Sequence, residues 1–247
     1  MTSEIIEIYL NSKSADQYYD NMISNALFSL PIIEIRKDET AYISVKNCVI
    51  PRSFYNVNNS NNMLNYSVDG IDYTINLTNG NYNVLNLKSH IVELFNSSGY
   101  TMIITYDTKT NKLTFRGTVH EFTFKQSSNC FELIGLLENY DYVSNNLELK
   151  SNIGTNLFTI KNIYLTSSNF ILNNIDSNNH NKSSILASIP VKGVENSILF
   201  YEDRTKHLIH NCNNLTALRI ILTDENSNLI DFNGIHYSIT LELTIIG

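Results

Sequence analysis

Short runs of Val, Ile, Thr, Tyr and Phe, cut apart by Asn, Ser, Asp and Gly, fill most of this 247-residue chain. Branched and aromatic side chains suit a pleated, half-buried surface, whereas Asn, Asp and Gly suit turns. The spacing therefore predicts many short strands and a mainly β fold. Strands are expected over residues 32–35 and 41–50, split by the charged turn Lys37-Asp38-Glu39. Later strands are expected over residues 157–166, 185–189, 197–201, 215–223 and 237–246. Residues 4–10 alternate only weakly. Regular short strands with long polar connections favour a β-sandwich. Residues 216–222 and 238–246 are expected to pair across the loop DENSNLIDFNG.

One stretch breaks the pattern. In VLNLKSHIVELFNSSG, residues Val84, Leu87, Ile91 and Leu94 recur at helical spacing, and Gly99 follows the run. Apolar side chains three and four apart line one helix face, and a glycine just past the end readily takes a left-handed cap. A strand at 73–77 precedes this helix, a hairpin joining 102–106 to 112–116 follows it, and 121–125 and 130–137 read as a strand and a short helix. Residues 64–137 are thus expected to form an α+β unit with a small core of its own.

Charge and reactive side chains exclude several functions. The net charge is −7 and there is no run of Lys and Arg, so nucleic-acid binding is not expected. Arg204, Lys206 and His207 form a small basic group that reads as a solvated turn. About one residue in seven is Asn, so amides dominate the polar surface. Cys48, Cys130 and Cys212 are odd in number and lack a CxxC spacing, which argues against a disulfide framework or a zinc site and for buried thiols in a reducing compartment. The first residues lack the basic and apolar regions of an export signal, and no apolar stretch reaches the length of a membrane span. His207 and His210 have no third ligand nearby; Asp224, Glu225 and Asp231 share a loop without EF-hand spacing. No phosphate-binding glycine motif and no G-x-S-x-G elbow occurs. No catalytic residue, cofactor site or metal site is expected.

The stretch CVIPRSFYNVNNSNN, residues 48–62, is the most suggestive surface. An apolar run ends at Pro51, then Arg52, Phe54 and Tyr55 lead into asparagines. Proline removes a ladder donor, so a strand end or bulge fits. One reading has one aromatic packed inward and the other capping the strand; another places Pro51, Arg52, Phe54 and Tyr55 at a subunit contact.

Five segments in order give a resemblance. They are IIEIYLNSKSADQYY (5–19), ISVKNCVIPRSFYNVNNSNN (43–62), GNYNVLNLKSHIVELF (80–95), YDTKTNKLTF (106–115) and LRIILTDENSNLIDFNGIHYSITLELTI (218–245). Together they resemble the penton proteins, minor capsid proteins of virophages, polinton-like viruses and related large DNA viruses. The resemblance implies a single jelly roll that forms homopentamers at icosahedral vertices beside a double-jelly-roll major capsid protein. It implies a virion location after assembly in the host cytoplasm, and no catalytic residues. On that plan, residues 1–20 are an arm that orders on a neighbouring capsid subunit or on the capsid floor, residues 21–63 and 138–247 form the jelly roll, and residues 64–137 form an inserted upper domain. Segment 51–62 then ends a jelly-roll strand and serves the subunit contact or the hinge into the insert. Two tandem β domains are the alternative fold. Another minor capsid protein or a spike that binds a carbohydrate or host receptor, and a hydrolase whose site is hidden, are the alternative functions.

Overall fold

Alternation of apolar and polar side chains puts one row of each strand into a core, and the chain satisfies that demand twice, in two separate cores. The computed structural model describes residues 3–170, 172, 174–176, 181–193, 196–209 and 214–247, with the backbone alone at 174–176 and 181–183. His180, His210 and Cys212, and residues 177–180 of the Asn-rich loop at 177–184, lie outside the described residues. One compact unit comprises residues 1–54 and 160–247; the second comprises residues 55–159 and interrupts it.

The first unit opens with β1 (Ser3–Asn11), β2 (Gln17–Tyr18), β3 (Asn25–Glu34) and β4 (Thr40–Pro51). The second holds β5 (Met63–Val68), β6 (Ile71–Asn76), α1 (Val84–Ser97), β7 (Met102–Asp107), β8 (Lys112–Gly117), β9 (Phe122–Phe124), α2 (Phe131–Ile134), β10 (Tyr142–Val143) and β11 (Glu148–Lys150). The first unit then resumes with β12 (Asn162–Ser167), β13 (Asn174–Asp176), β14 (Asn181–Ser183), β15 (Ile185–Pro190), β16 (Ile198–Tyr201), β17 (His207–Leu208), β18 (Asn214–Thr223) and β19 (Ser238–Ile246).

Two antiparallel sheets build the first unit. One has the order β1-β19-β4-β16, with β17 also on β4; the other has the order β15-β12-β18-β3-β2. Eight principal strands, taken in chain order, distribute as one-eight-three-six and five-four-seven-two across the sheets. That is the connectivity of a single jelly roll. Its core is drawn from the inner rows of both sheets, including Ile43, Val45, Ile50, Leu165, Leu218, Ile220, Leu241 and Leu243.

Three expectations change. β1 pairs with β19 along its whole length, from Ser3 opposite Ile246 to Asn11 opposite Ser238. Ile8 and Leu10 point into the core, so this segment is an integral strand and not a free arm. Second, β18 and β19 do not pair with each other. β18 lies between β12 and β3, whereas β19 lies between β1 and β4. Their connection crosses between the sheets and buries Ile230, Phe232 and Tyr237, which an exposed hairpin tip would not do. Third, the insert begins at residue 55 and ends at 159, not at 64 and 137. The added C-terminal stretch is tied in by hydrogen bonds: Leu113 N donates to Ser151 Oγ at 2.9 Å, Thr155 N to Asn111 O at 2.8 Å and Asn156 N to Glu132 O at 3.0 Å.

The second unit packs α1 over two small sheets, β10-β9-β5-β6 and β11-β8-β7. Asn83 caps α1 by accepting a hydrogen bond from Asn86 N at 2.9 Å. The buried stripe is Leu87, Ile91 and Phe95, at four-residue spacing. Phe95 meets Tyr66 edge-on at 4.8 Å and Phe115 meets Phe124 edge-on at 5.1 Å, an aromatic core with favourable ring geometry. α2 ends at Gly135, whose φ is +80°. A Cβ there would stand 2.6 Å from Ile153 O and 3.0 Å from the Ser151 side chain. Gly135→Ala is therefore expected to cost roughly 1–3 kcal/mol from backbone conformation alone, with the clash added to it. Thermal melting would reveal an earlier transition; an unchanged melt would contradict this account of the turn.

Candidate assembly surface

Proline ends β4 because it offers no ladder donor after the pair Pro51–Ile198. The chain remains tied to the loop before β16: Arg52 N donates to Ser197 O at 2.9 Å, and Asn196 N donates to Arg52 O at 3.0 Å. The Arg52 guanidinium also donates to Gly193 O. Ser53 is buried, and its Oγ donates to Phe232 O at 2.7 Å.

The two aromatics that follow divide. Phe54 is 8% exposed in the jelly-roll core and meets Phe232 edge-on at 6.4 Å. Its ring is consumed inside the subunit and is not free for a neighbour. Tyr55 is 37% exposed and is the first residue of the second unit. The asparagines beyond it have structural work. Asn56 donates through Nδ2 to Tyr82 O at 2.8 Å and accepts at Oδ1 from Tyr82 N at 2.9 Å. Asn61 Nδ2 donates to Asn56 O at 2.9 Å, and Asn62 Nδ2 donates to Leu77 O at 3.2 Å. Side-chain amides can both donate and accept, so they close irregular loops that a ladder cannot.

The outer face of the first sheet is more revealing than this loop. On β16, Leu199 turns inward, leaving Ile198 and Phe200 outward at 68% and 67% exposure. They stand beside Pro51 and Val49 of β4, their partners in the ladder. An open cleft of about 630 Å³ adjoins them, lined by Pro190, Lys192, Gly193, Ser197, Leu199 and Tyr201. At the opposite edge of the sheet, β1 turns Ile5 and Tyr9 outward, at 59% and 74% exposure. Ordinary strand alternation does not require exposed apolar residues at both edges of one sheet, so these two pairs are the candidate contact surfaces.

The candidate carboxylates, basic side chains and thiols among the described residues have local structural partners or are buried. Asp224 Oδ1 accepts from the backbone N of Asn226 and Asn228, both at 2.8 Å. Glu225 Oε1 accepts from the backbone N of Lys161 and Asn162, both at 2.8 Å, and Asp231 Oδ1 from Asn233 N at 2.8 Å. Asp224 and Asp231 fix their own loop, and Glu225 ties that loop to the start of β12. Arg204 pairs with Glu202 at 3.3 Å and Lys206 with Glu242 at 3.9 Å, so the basic group is locally balanced. Burial pushes the Cys48 and Cys130 thiols up to about 12, which keeps both protonated and poorly nucleophilic at neutral pH. Among the described residues there is no cluster of three His, Cys, Asp or Glu that could hold a metal ion. No helix among them is long and apolar enough to cross a membrane.

No protein-family model matches the sequence, and no curated protein matches it. Structure is more informative. The mavirus penton protein superposes with a TM-score of 0.51 and 11% identity, over 98% of this chain and 99% of that one. This chain has a penton-type fold. The likeness spans both units, so the interrupting α+β unit has its counterpart too. A structure of the Sputnik virophage also matches, with a TM-score of 0.37 and 14% identity over 97% of each chain.

Proposed function

We propose that this chain is a structural protein of a virus capsid, a penton that assembles as a homopentamer at the icosahedral vertices beside a double-jelly-roll major capsid protein. The end-to-end similarity in fold to the mavirus penton protein carries this reading. A jelly roll interrupted by a second unit is the plan on which the likeness extends over 98% of this chain. On this reading the jelly roll lies in the capsid shell, and residues 55–159 form the upper domain, where a host receptor would be met. The protein belongs to the virion, and its assembly takes place in the host cytoplasm.

A closed ring uses heterologous contacts, in which one face of each subunit meets a different face of the next. The reading therefore requires two dissimilar lateral surfaces. Native mass spectrometry of the purified protein tests it. A dominant species of five copies is the expected result; a monomer at all concentrations, or an even-numbered assembly, would contradict the ring.

A further inference from the structure

A backbone N–H can only donate, so a side chain bonded to it must accept. Just past β6, the Thr78 N–H donates to Nε2 of His90 on α1, at 3.1 Å. That contact settles the tautomer: Nε2 carries no proton, Nδ1 carries one, and the ring is neutral. The His90 side chain is 19% exposed. Its ring stacks on Tyr82, with centroids 5.5 Å apart, and the Tyr82 hydroxyl donates to Thr78 O at 2.9 Å. Thr78 is thus held twice, at its N–H by His90 and at its carbonyl by Tyr82.

The loop held in this way is the partner of the segment through which the chain enters the second unit. Val57 and Gly80 exchange two backbone hydrogen bonds, at 3.1 and 2.9 Å. Leu77 N donates to Asn62 O at 2.7 Å, and Asn79 Nδ2 donates to Asn59 Oδ1 at 2.8 Å. Residues 56–62 carry no titratable side chain, and residues 77–82 carry only Tyr82. Burial, with the Glu93 charge adding to it, pushes the Tyr82 phenol up, so Tyr82 stays neutral wherever imidazoles titrate.

His90 has a second partner in reach. Glu93 Oε2 stands 3.9 Å from His90 Nδ1, one turn further along α1. That is too long for a hydrogen bond but close enough for attraction once the ring is charged. Among the described residues, Glu93 is the one charged group in contact with His90. Lys88 shares α1, β6 carries Asp72 and Tyr73, and β7 carries Tyr106 and Asp107. Asp72 lies toward Lys125 at 3.8 Å, and Asp107 accepts from Lys109 N and the Thr110 hydroxyl. Tyr73 stacks on Tyr66, and Tyr106 donates to Asn111.

We propose that His90 is a proton-operated latch: neutral, it holds the loop 77–82 through Thr78; protonated, it releases Thr78 and pairs with Glu93. A proton added to Nε2 points at the Thr78 N–H, donor against donor, and that bond is lost. The new charge strengthens the attraction to Glu93, so one partner replaces the other. The change is local, because Leu87, Ile91 and Phe95 keep α1 buried in either state. Imidazole is the side chain whose charge ordinarily changes between about pH 5 and 8. The latch lies within the second unit and needs no neighbouring copy.

Hydrogen–deuterium exchange of the full chain tests the latch, read on peptides spanning 77–82 and corrected for the intrinsic pH dependence of exchange. From about pH 8 down to about pH 5, protection of this loop should fall about ten-fold, the size of one lost hydrogen bond, while α1 keeps its own. In His90→Gln the titrating group is gone, and the pH response should vanish at whatever level of protection the amide leaves. In Glu93→Gln the charged ring loses its receiving carboxylate, and the response should move to lower pH. His120→Gln changes the other histidine of the unit, which pairs with Asp69 at 2.9 Å, and should leave the response as it is. Wild-type protection at 77–82 that stays constant across the range, or a response that survives in His90→Gln, would overturn the latch. A loss shared equally by α1 would mean unfolding instead of release, and would overturn it too.

Discussion

Deleting residues 1–11 is expected to unfold the jelly-roll unit, not to release a dispensable arm. β1 supplies a full-length ladder to β19, and its inner row places Ile8 and Leu10 in the core. Burying a side chain of that size stabilises by about 1.5–3 kcal/mol. Ser12, fully buried just beyond the strand, accepts at Oγ from Tyr237 N at 2.9 Å and donates its own N–H to Tyr237 O at 3.0 Å. Deletion would strip this anchor of its lead strand and open the inner edge of β19 to water. The combined loss, on the order of 5 kcal/mol, is comparable with the whole stability of a typical domain. Circular dichroism melts of the truncated chain should show the jelly-roll transition lost or far lower. A truncated protein that melts like the full chain would mean that β1 is peripheral after all.

The second large effect separates neighbours. Phe54→Ala removes a buried ring from the jelly-roll core and from its contact with Phe232, and is expected to cost about 3–5 kcal/mol. Tyr55→Ala, at a half-exposed position with no ring partner among the described residues, is expected to change stability by no more than about 0.5 kcal/mol. Denaturant unfolding of the two variants gives the comparison directly. Equal destabilisation would contradict the division of this pair into core and surface. Double substitution of both aromatics could not distinguish a lost contact between subunits from a lost core, so the single variants are the informative ones.

Most strands could be read in the sequence because alternation survives wherever one face is buried and the other polar. The helix was legible from Val84, Leu87, Ile91 and Leu94 at helical spacing, with Gly99 just past its end. β1 was obscured by its own outer row: Ile5 and Tyr9 make both faces of IIEIYL apolar, which erases the period of two. The same two residues leave the outer face of β1 apolar, so the blurred signal and the exposed apolar row have one cause. β18 and β19 were misjoined because two strands close in sequence read as a hairpin. Ile230, Phe232 and Tyr237 in the connection were the overlooked sign of a buried crossover. The limits of the insert escaped because Asn56, Asn61, Asn62 and Ser151 bind it through side-chain hydrogen bonds, which leave no periodic trace.

The surface candidates fared unevenly for the same reason. Pro51 marks a strand end by its chemistry alone, and it does lie on the outer face beside Ile198. Arg52 is held by the loop before β16 through its backbone and guanidinium. Phe54 and Tyr55 carry similar sequence signals, and only the position of Phe232, 178 residues further on in the chain, decides which ring is buried. Ile198 and Phe200 gave no warning, since an exposed apolar pair in a strand is indistinguishable in sequence from a buried one.

Cryo-electron microscopy of purified particles containing this protein, reconstructed around the five-fold vertices, tests the assignment most directly. Five copies of the jelly roll closing each vertex, with residues 55–159 as a second body on each copy, are the predicted density. Vertices occupied by another protein, with this chain elsewhere in the particle or missing from it, would contradict the account.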